Sequence, residues 1–364
     1  MARITRVEVG RLDYPMAGQF KFFKAGVRPS VVVRLTDSAG VQGWGQAVPV
    51  ETWTYETVES VESTLARYLA PAVLGAVPSD LADVHARMEG AIRPSFSVGQ
   101  PLAKAAIDLA CYDLWGKQSG QAVCHLLSSA RSISEIKLSW TINSTSLEKA
   151  HEQLEHGRGA GYTSYNVKIG APQTPDYDRS LVRAVREFAP QGFHWADANT
   201  SYDLATAKRM AGVLADAGFK ALESPLPPNR LRDYQALKRH GALPILMDEG
   251  IVSPVEAEEF AALGMYHGIA MKVARCGGLW PAWKITEQLR EEKLLLFASG
   301  LTDPDLSLAA SLHLFAAAGL ERPAALNGPQ YLAMKFRPVK DVMRVPQAPG
   351  LGIDIDESAV RWLS

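Results

Sequence analysis

With 364 residues, 47% of them hydrophobic and 21% charged, the chain is a globular protein of two structural units rather than a disordered or fibrous one. Its net charge of −1 excludes the basic surface that a nucleic-acid backbone or an anionic membrane requires, which leaves a small-molecule partner. Three scattered cysteines, Cys111, Cys124 and Cys276, exclude a disulfide framework and fit a reducing cytoplasm.

The first residues, Met1-Ala2-Arg3-Ile4-Thr5-Arg6, lack the apolar run of a secretory signal, and the most apolar stretches, such as Leu294 to Phe297, are too short to span a membrane. From Ile4 to about Ala47 apolar and polar residues alternate, with a Ser38-Ala39-Gly40 turn, which predicts an antiparallel meander. From Thr54 to about Gly120 the apolar spacing changes to three and four, as in Leu102, Ala105, Ala106, Leu109 and Ala110, which predicts a group of helices.

Beyond Ser134 short apolar strands alternate with amphipathic helices. Strands are predicted near 136–142, 163–168, 193–197, 221–223, 245–248, 268–272, 294–298 and 324–327. Eight strands and seven helices suggest a closed parallel barrel, although an open doubly wound sheet gives the same alternation. The last residues, 328–364, are irregular and strand-like, and are expected to return to the first unit.

Acidic residues end three successive strands: Asp197 in Trp195-Ala196-Asp197-Ala198-Asn199, Glu223 in Ala221-Leu222-Glu223-Ser224-Pro225, and Asp248 in Leu246-Met247-Asp248-Glu249-Gly250. A single acid after a strand is usually a helix cap or solvated. Three in register at one rim repel one another unless a cation lies between them, and an all-oxygen set suits Mg²⁺ better than zinc or copper. Lys168 and Lys272 close the flanking strands. A lysine there either snorkels to the rim or, placed on opposite sides of a substrate, serves as acid and base.

These motifs, together with Lys272-Val273-Ala274-Arg275-Cys276-Gly277-Gly278, resemble the enolase superfamily and its muconate lactonising branch over essentially the whole chain. The resemblance implies an α/β fold: a modified (β/α)7β barrel over 131–327, an α+β capping domain over 1–130, and a return to the cap over 328–364. It also implies Asp197, Glu223 and Asp248 as ligands of Mg²⁺, with Mn²⁺ as a substitute. The chemistry implied is removal of the proton α to a carboxylate by a lysine base. Asn166, Asn199, Glu249 and Asn327 are expected to support the site, orienting the ligands or a lysine or binding the substrate. Relatives commonly carry Lys-x-Lys on the second strand, but here the run is Asn166-Val167-Lys168. Lys168 therefore lacks a neighbouring cation and acts either as a base or only as an electrostatic partner.

The resemblance also narrows the reaction. The strand ending Leu296-Phe297-Ala298 carries no histidine for a His-Asp dyad, and Leu326-Asn327-Gly328-Pro329 lacks the Asp-x-Asp clamp of dipeptide epimerases. Racemisation or epimerisation by two lysines is the leading expectation. A cycloisomerase or β-eliminating lyase with one base comes next, and a catalytically silent binding barrel is a remote third. Phe20, Phe22, Trp53 and Tyr55 are expected to line the cap side of the site, or else to pack the cap on the barrel. Family members are often symmetric assemblies, so a homo-oligomer is among the expectations.

Overall fold

The structure, a computed structural model, describes residues 2–18, 20, 26–129 and 132–363. The alternating N-terminal stretch forms three strands of an antiparallel sheet, β1 (Ile4–Arg11), β2 (Val31–Asp37) and β3 (Gln42–Ala47), with Arg361–Trp362 added beside β1. The helices that follow include α1 (Val58–Thr64), α2 (Leu81–Ala91) and α3 (Pro101–Ser119). Helix α3 lies on β3 at the closest approach a backbone permits. A Cβ on Gly45 would sit 1.9 Å from the Ala106 carbonyl oxygen, and one on Gly43 would sit 2.4 Å from that of Ala110. Glycine at every second position of β3 thus clears one face for the helix. Pro101 opens α3 and Gly120, at φ +68°, ends it.

The barrel strands are β4 (Trp140–Ile142), β5 (Tyr165–Lys168), β6 (His194–Asp197), β7 (Leu222–Glu223), β8 (Ile245–Met247), β9 (Gly268–Met271) and β10 (Leu295–Ala298). They are parallel and neighbour one another in chain order. Ala324 bridges to Leu138 and Ala325 to Ser299, so an eighth stave closes the ring and rules out an open doubly wound sheet. That stave is shorter than the sequence suggests. After Asn327 the chain turns into the helical residues Gly328–Tyr331, where Pro329 supplies no N–H to a ladder.

The strand predicted over 136–142 is also divided. Glu135–Lys137 pairs antiparallel with Val342–Arg344, and the barrel takes up only Leu138, through its bridge to Ala324, and β4. Trp195, Leu246, Ala270, Phe297 and Ala325 pack together as a small cluster of their own, fed by alternate residues of the staves. Seven helices surround the strands: α4 (Leu147–Gly159), α5 (Pro175–Phe188), α6 (Leu204–Asp216), α7 (Leu231–His240), α8 (Pro254–Ala262), α9 (Leu279–Glu291) and α10 (Asp305–Ala317). Ser146, Thr174, Asp203 and Ser253 each accept a backbone N–H at the start of a helix. No helix among the described residues is long and apolar enough to cross a membrane.

Candidate active site

Parallel register brings the acids together. Asp197 and Glu223 are directly paired at the ends of β6 and β7, and Asp248 follows β8. Lys168 ends β5 opposite Asp197, and Lys272 follows β9. All five side chains are buried. Lys168 Nζ donates to Asp197 Oδ2 at 2.5 Å, and Lys272 Nζ donates to Asp248 Oδ2 at 2.5 Å and to Ser299 Oγ at 3.0 Å. Glu223 Oε1 lies 3.6 Å from Lys272 Nζ and has no hydrogen-bond partner. In this arrangement no three Asp, Glu, His or Cys side chains among the described residues are gathered around a point that could hold an ion, because Asp197 and Asp248 turn to the lysines.

The backbone enters the left-handed region at Asn199, Thr200 and Ser224, directly after two of the acid-bearing strands. Such left-handed residues turn the chain sharply where each strand ends. Asn199 gives its backbone N–H to Asp197 Oδ1 and its side-chain amide to Asp197 Oδ2 and Glu249 Oε1. Trp53, from the cap, donates to Glu249 Oε1 at 3.3 Å. Arg275 holds its Nε 3.2 Å from Asp248 Oδ1 and donates to the Trp53 carbonyl.

Two contributors escaped the sequence reading. Ser299 follows a strand noted only for its lack of a histidine. Trp195 donates from Nε1 to Glu223 Oε2 at 2.8 Å. Trp195 stands two residues before Asp197 on β6, so the period of two places it on the inner face and could have revealed it.

The electrostatics of the site are set by burial and by the pairing of acids with cations. Burial would raise the Asp197 carboxyl, but the ammonium groups of Lys168 and Lys272 overcome this and hold it below the usual range. Burial and the Asp197 charge push Glu223 up to about 8. Burial, with Asp248 and Asp197 beside it, also raises Glu249. Burial opposes the charge on Lys168, yet the Asp197 and Glu223 carboxylates keep its pKa above the ordinary lysine value. With all of them ionised, Asp197, Glu223, Asp248 and Glu249 would set four negative charges against the three cations Lys168, Lys272 and Arg275, which is why burial resists ionisation of Glu223 and Glu249. Adding a carboxylate substrate and a divalent cation brings this buried set to neutrality. The oxygens of Glu223, Asp248 and Glu249 that make no hydrogen bond are hard donors of the kind Mg²⁺ takes. The residues fit the ion, provided the lysines release their carboxylates.

On the other side of the barrel mouth, Asn166 stands two residues before Lys168 on β5, and Asn327 follows the eighth stave. Phe20 is buried against Trp53 and Tyr331. Phe22 lies outside the described residues. Tyr55 is exposed and, with Trp53, Asn199 and Glu249, lines a cleft of about 270 Å³ between the cap and the loops after β6 and β8.

A closed parallel barrel with acids and lysines at the carboxyl ends of its strands, under an α+β cap, defines a barrel enzyme. Residues 4–128 match the mandelate racemase / muconate lactonizing enzyme N-terminal domain, and residues 148–359 match the enolase C-terminal domain-like family. The chain belongs to the enolase superfamily of isomerases and lyases, in its muconate lactonising enzyme-like branch. It is 26% identical over 370 residues to muconate cycloisomerase 1 of Rhodococcus opacus, covering 98% of this chain and 97% of that protein. It is 28% identical over 357 residues to o-succinylbenzoate synthase of Geobacillus kaustophilus, covering 96% and 92%. The crystal structure of N-succinyl Arg/Lys racemase from Bacillus cereus superposes with a TM-score of 0.91 at 25% identity, covering 98% of this chain and 96% of that one.

Proposed function

We propose that the protein is a Mg²⁺-dependent racemase or epimerase acting at the carbon α to a carboxylate, with Lys168 and Lys272 as its two proton-transfer groups. The observation that carries this reading is their placement. Lys168 ends β5 and Lys272 follows β9, on either side of the three acid-bearing strands, so each addresses one side of a substrate seated between them. Asp197, Glu223 and Asp248 would hold Mg²⁺, or Mn²⁺ in its place. The bound ion supplies positive charge to a developing enediolate and lowers the pKa of nearby lysines.

The chain's own residues do the rest. One lysine takes the α-proton, and the other returns a proton from the opposite side. Arg275 and Asn199 fix Asp248 and Asp197, while Trp53 shields Lys272 and Glu249 from water. The substrate is a small carboxylate, and the three buried free thiols suit a cytoplasmic enzyme.

A second reading rests on the Lys168–Asp197 pair. Without a cationic neighbour at Asn166, that pair holds Lys168 in its charged form, which favours a one-base cycloisomerase or lyase working through Lys272. The deciding measurement is stereospecific α-proton exchange in D₂O with Lys168→Ala and Lys272→Ala. Two-base racemisation predicts that each variant loses exchange from one enantiomer and keeps it from the other. If Lys272→Ala silences both enantiomers while Lys168→Ala silences neither, the one-base reading replaces it.

A further inference from the structure

A second cavity, of about 470 Å³, lies between the cap and the barrel, and neither the acids nor the lysines of the candidate active site line it. One loop serves both places: Arg275 reaches Asp248, while Cys276 and Gly277 next to it border the cavity. Its apolar walls are Phe96 and Val98, from the cap segment before α3, and Val255, Trp280 and Pro281 of α8 and α9. Phe96 and Val255 are exposed although both are large and apolar.

Lys104, near the start of α3, also borders the cavity and is 1% exposed. Its Nζ donates to the carbonyls of Ile92 at 3.1 Å and Val98 at 2.7 Å, and among the described residues no carboxylate lies within ion-pairing distance. Glu56 and Glu89 act on it only at longer range, and both Glu56 oxygens are taken by the backbone N–H groups of Leu102 and Ala103. An ammonium has three N–H groups, so one is left over. Lysine is almost never fully buried without a partner, and a cation in the first turns of a helix opposes the helix dipole. An anion entering the cavity relieves both.

A carboxylate answers the charge and the remaining N–H together. A hydroxyl, an amide or a water answers only the N–H. Because folding has already stripped water from Lys104, pairing adds only the desolvation of the arriving acid. Glu89 and Glu256, which also border the cavity, oppose a doubly charged group such as a phosphate, and the walls suit a hydrocarbon body. Lys284, its ammonium 3.3 Å from the centre of the Trp280 ring, brings a second cation to the border. We propose that this cavity is a second ligand site, which takes a monocarboxylic acid with an apolar body, its carboxylate on the Lys104 ammonium and its body among Phe96, Val255 and Trp280. The site is independent of the reaction proposed above.

The test locates the ligand as well as measuring it. The Mg²⁺-saturated full chain, labelled with 5-fluorotryptophan, is titrated with 4-phenylbutyrate and with its uncharged counterpart 4-phenylbutyramide and followed by fluorine NMR. The Trp280 and Trp53 resonances are identified by their loss in Trp280→Phe and Trp53→Phe. The acid is expected to shift the Trp280 resonance saturably and to bind there at least about tenfold more tightly than the amide. Lys104→Met should bring the acid down to the affinity of the amide while the amide keeps its own, which shows the cavity intact. A shift confined to Trp53 places the acid in the active site and overturns the proposal. Equal affinities of acid and amide at Trp280 overturn it too, and that comparison in the wild-type chain requires no variant to fold. A preference for the acid that survives Lys104→Met removes Lys104 as its partner.

Discussion

Trp53 of the cap lies with its ring 5.3 Å from the Lys272 ammonium of the barrel, and its indole N–H points to Glu249. One cap side chain therefore touches both Lys272, proposed above as a proton-transfer group, and the network around the acids. The Trp53 carbonyl also accepts from Arg275, so the segment is held to the barrel through backbone as well as ring. The cap closes the site chemically as well as sterically, by placing an aromatic face over a cation that would otherwise meet water.

Trp53→Ala should therefore lower kcat/KM by about 3- to 30-fold, the range that loss of a partly desolvated cation–π contact of about 0.5–2 kcal/mol allows. Trp53→Phe keeps a ring over Lys272 and loses only the bond to Glu249, so it should fall between wild type and Trp53→Ala. Steady-state kinetics on any accepted substrate checks the order. Equal losses for Phe and Ala would show that the indole N–H, and not the ring, matters.

Acid stability should depend on His313. Buried in α10, it accepts the Cys124 N–H at Nδ1, and its Nε2 meets the Leu351 carbonyl at 3.1 Å, an arrangement that suits the neutral ring. Burial lowers its pKa to about 4. Against an ordinary value near 6.5, the stabilisation is present in full above pH 6.5 and is lost as pH falls through 4. The shift corresponds to about 3 kcal/mol. His313→Gln should make urea-unfolding free energies flatter between pH 6.5 and 4, at lower stability near neutrality. A slope equal to wild type would show that other groups govern acid unfolding.

Much of this architecture is legible in the sequence because the period of two and the strand–helix alternation are set by burial. Asp197, Glu223, Asp248 and Lys272 stand out because each follows a short apolar strand that cannot be mistaken for a helix. Other features depend on partners distant in the chain. The division of 136–142 is imposed by Val342–Arg344, some 200 residues away, and the shortened eighth stave by the turn at Pro329. The Lys168–Asp197 and Lys272–Asp248 contacts are side-chain choices between competing cations, which no spacing encodes.

Arg28 is a further residue that only the fold reveals. Fully buried between cap and barrel, its guanidinium donates to the carbonyls of Pro29, Val48 and Pro49 in the cap and of Leu301 after β10. Arg28→Met would leave several buried carbonyls without a donor, each at a cost of about 1–3 kcal/mol. The expected loss is about 3–5 kcal/mol in chemical denaturation, with residues 48–55 exchanging amide hydrogens faster than the barrel strands. Uniform exchange across both units would mean that Arg28 serves overall stability and not the seating of the cap.

The lysines and a divalent cation compete for the same oxygens. Lys272 Nζ lies 2.5 Å from Asp248 Oδ2 and 3.6 Å from Glu223 Oε1, so it occupies the position from which an ion would be held by those two acids. A divalent and a monovalent cation about 5 Å apart repel by about 7 kcal/mol at an effective dielectric of about 20. Even a third of that exceeds a tenfold change in affinity. Lys272→Ala should therefore bind Mg²⁺ at least about tenfold more tightly by calorimetry while losing α-proton exchange from at least one enantiomer. Removing the metal with EDTA should abolish exchange by the wild-type enzyme, and full activity after such treatment would end the metal-dependent reading. Unchanged Mg²⁺ affinity in Lys272→Ala would show that the ion is not held beside Asp248, and the ligand set would then have to be sought among Asp197, Glu223 and Glu249.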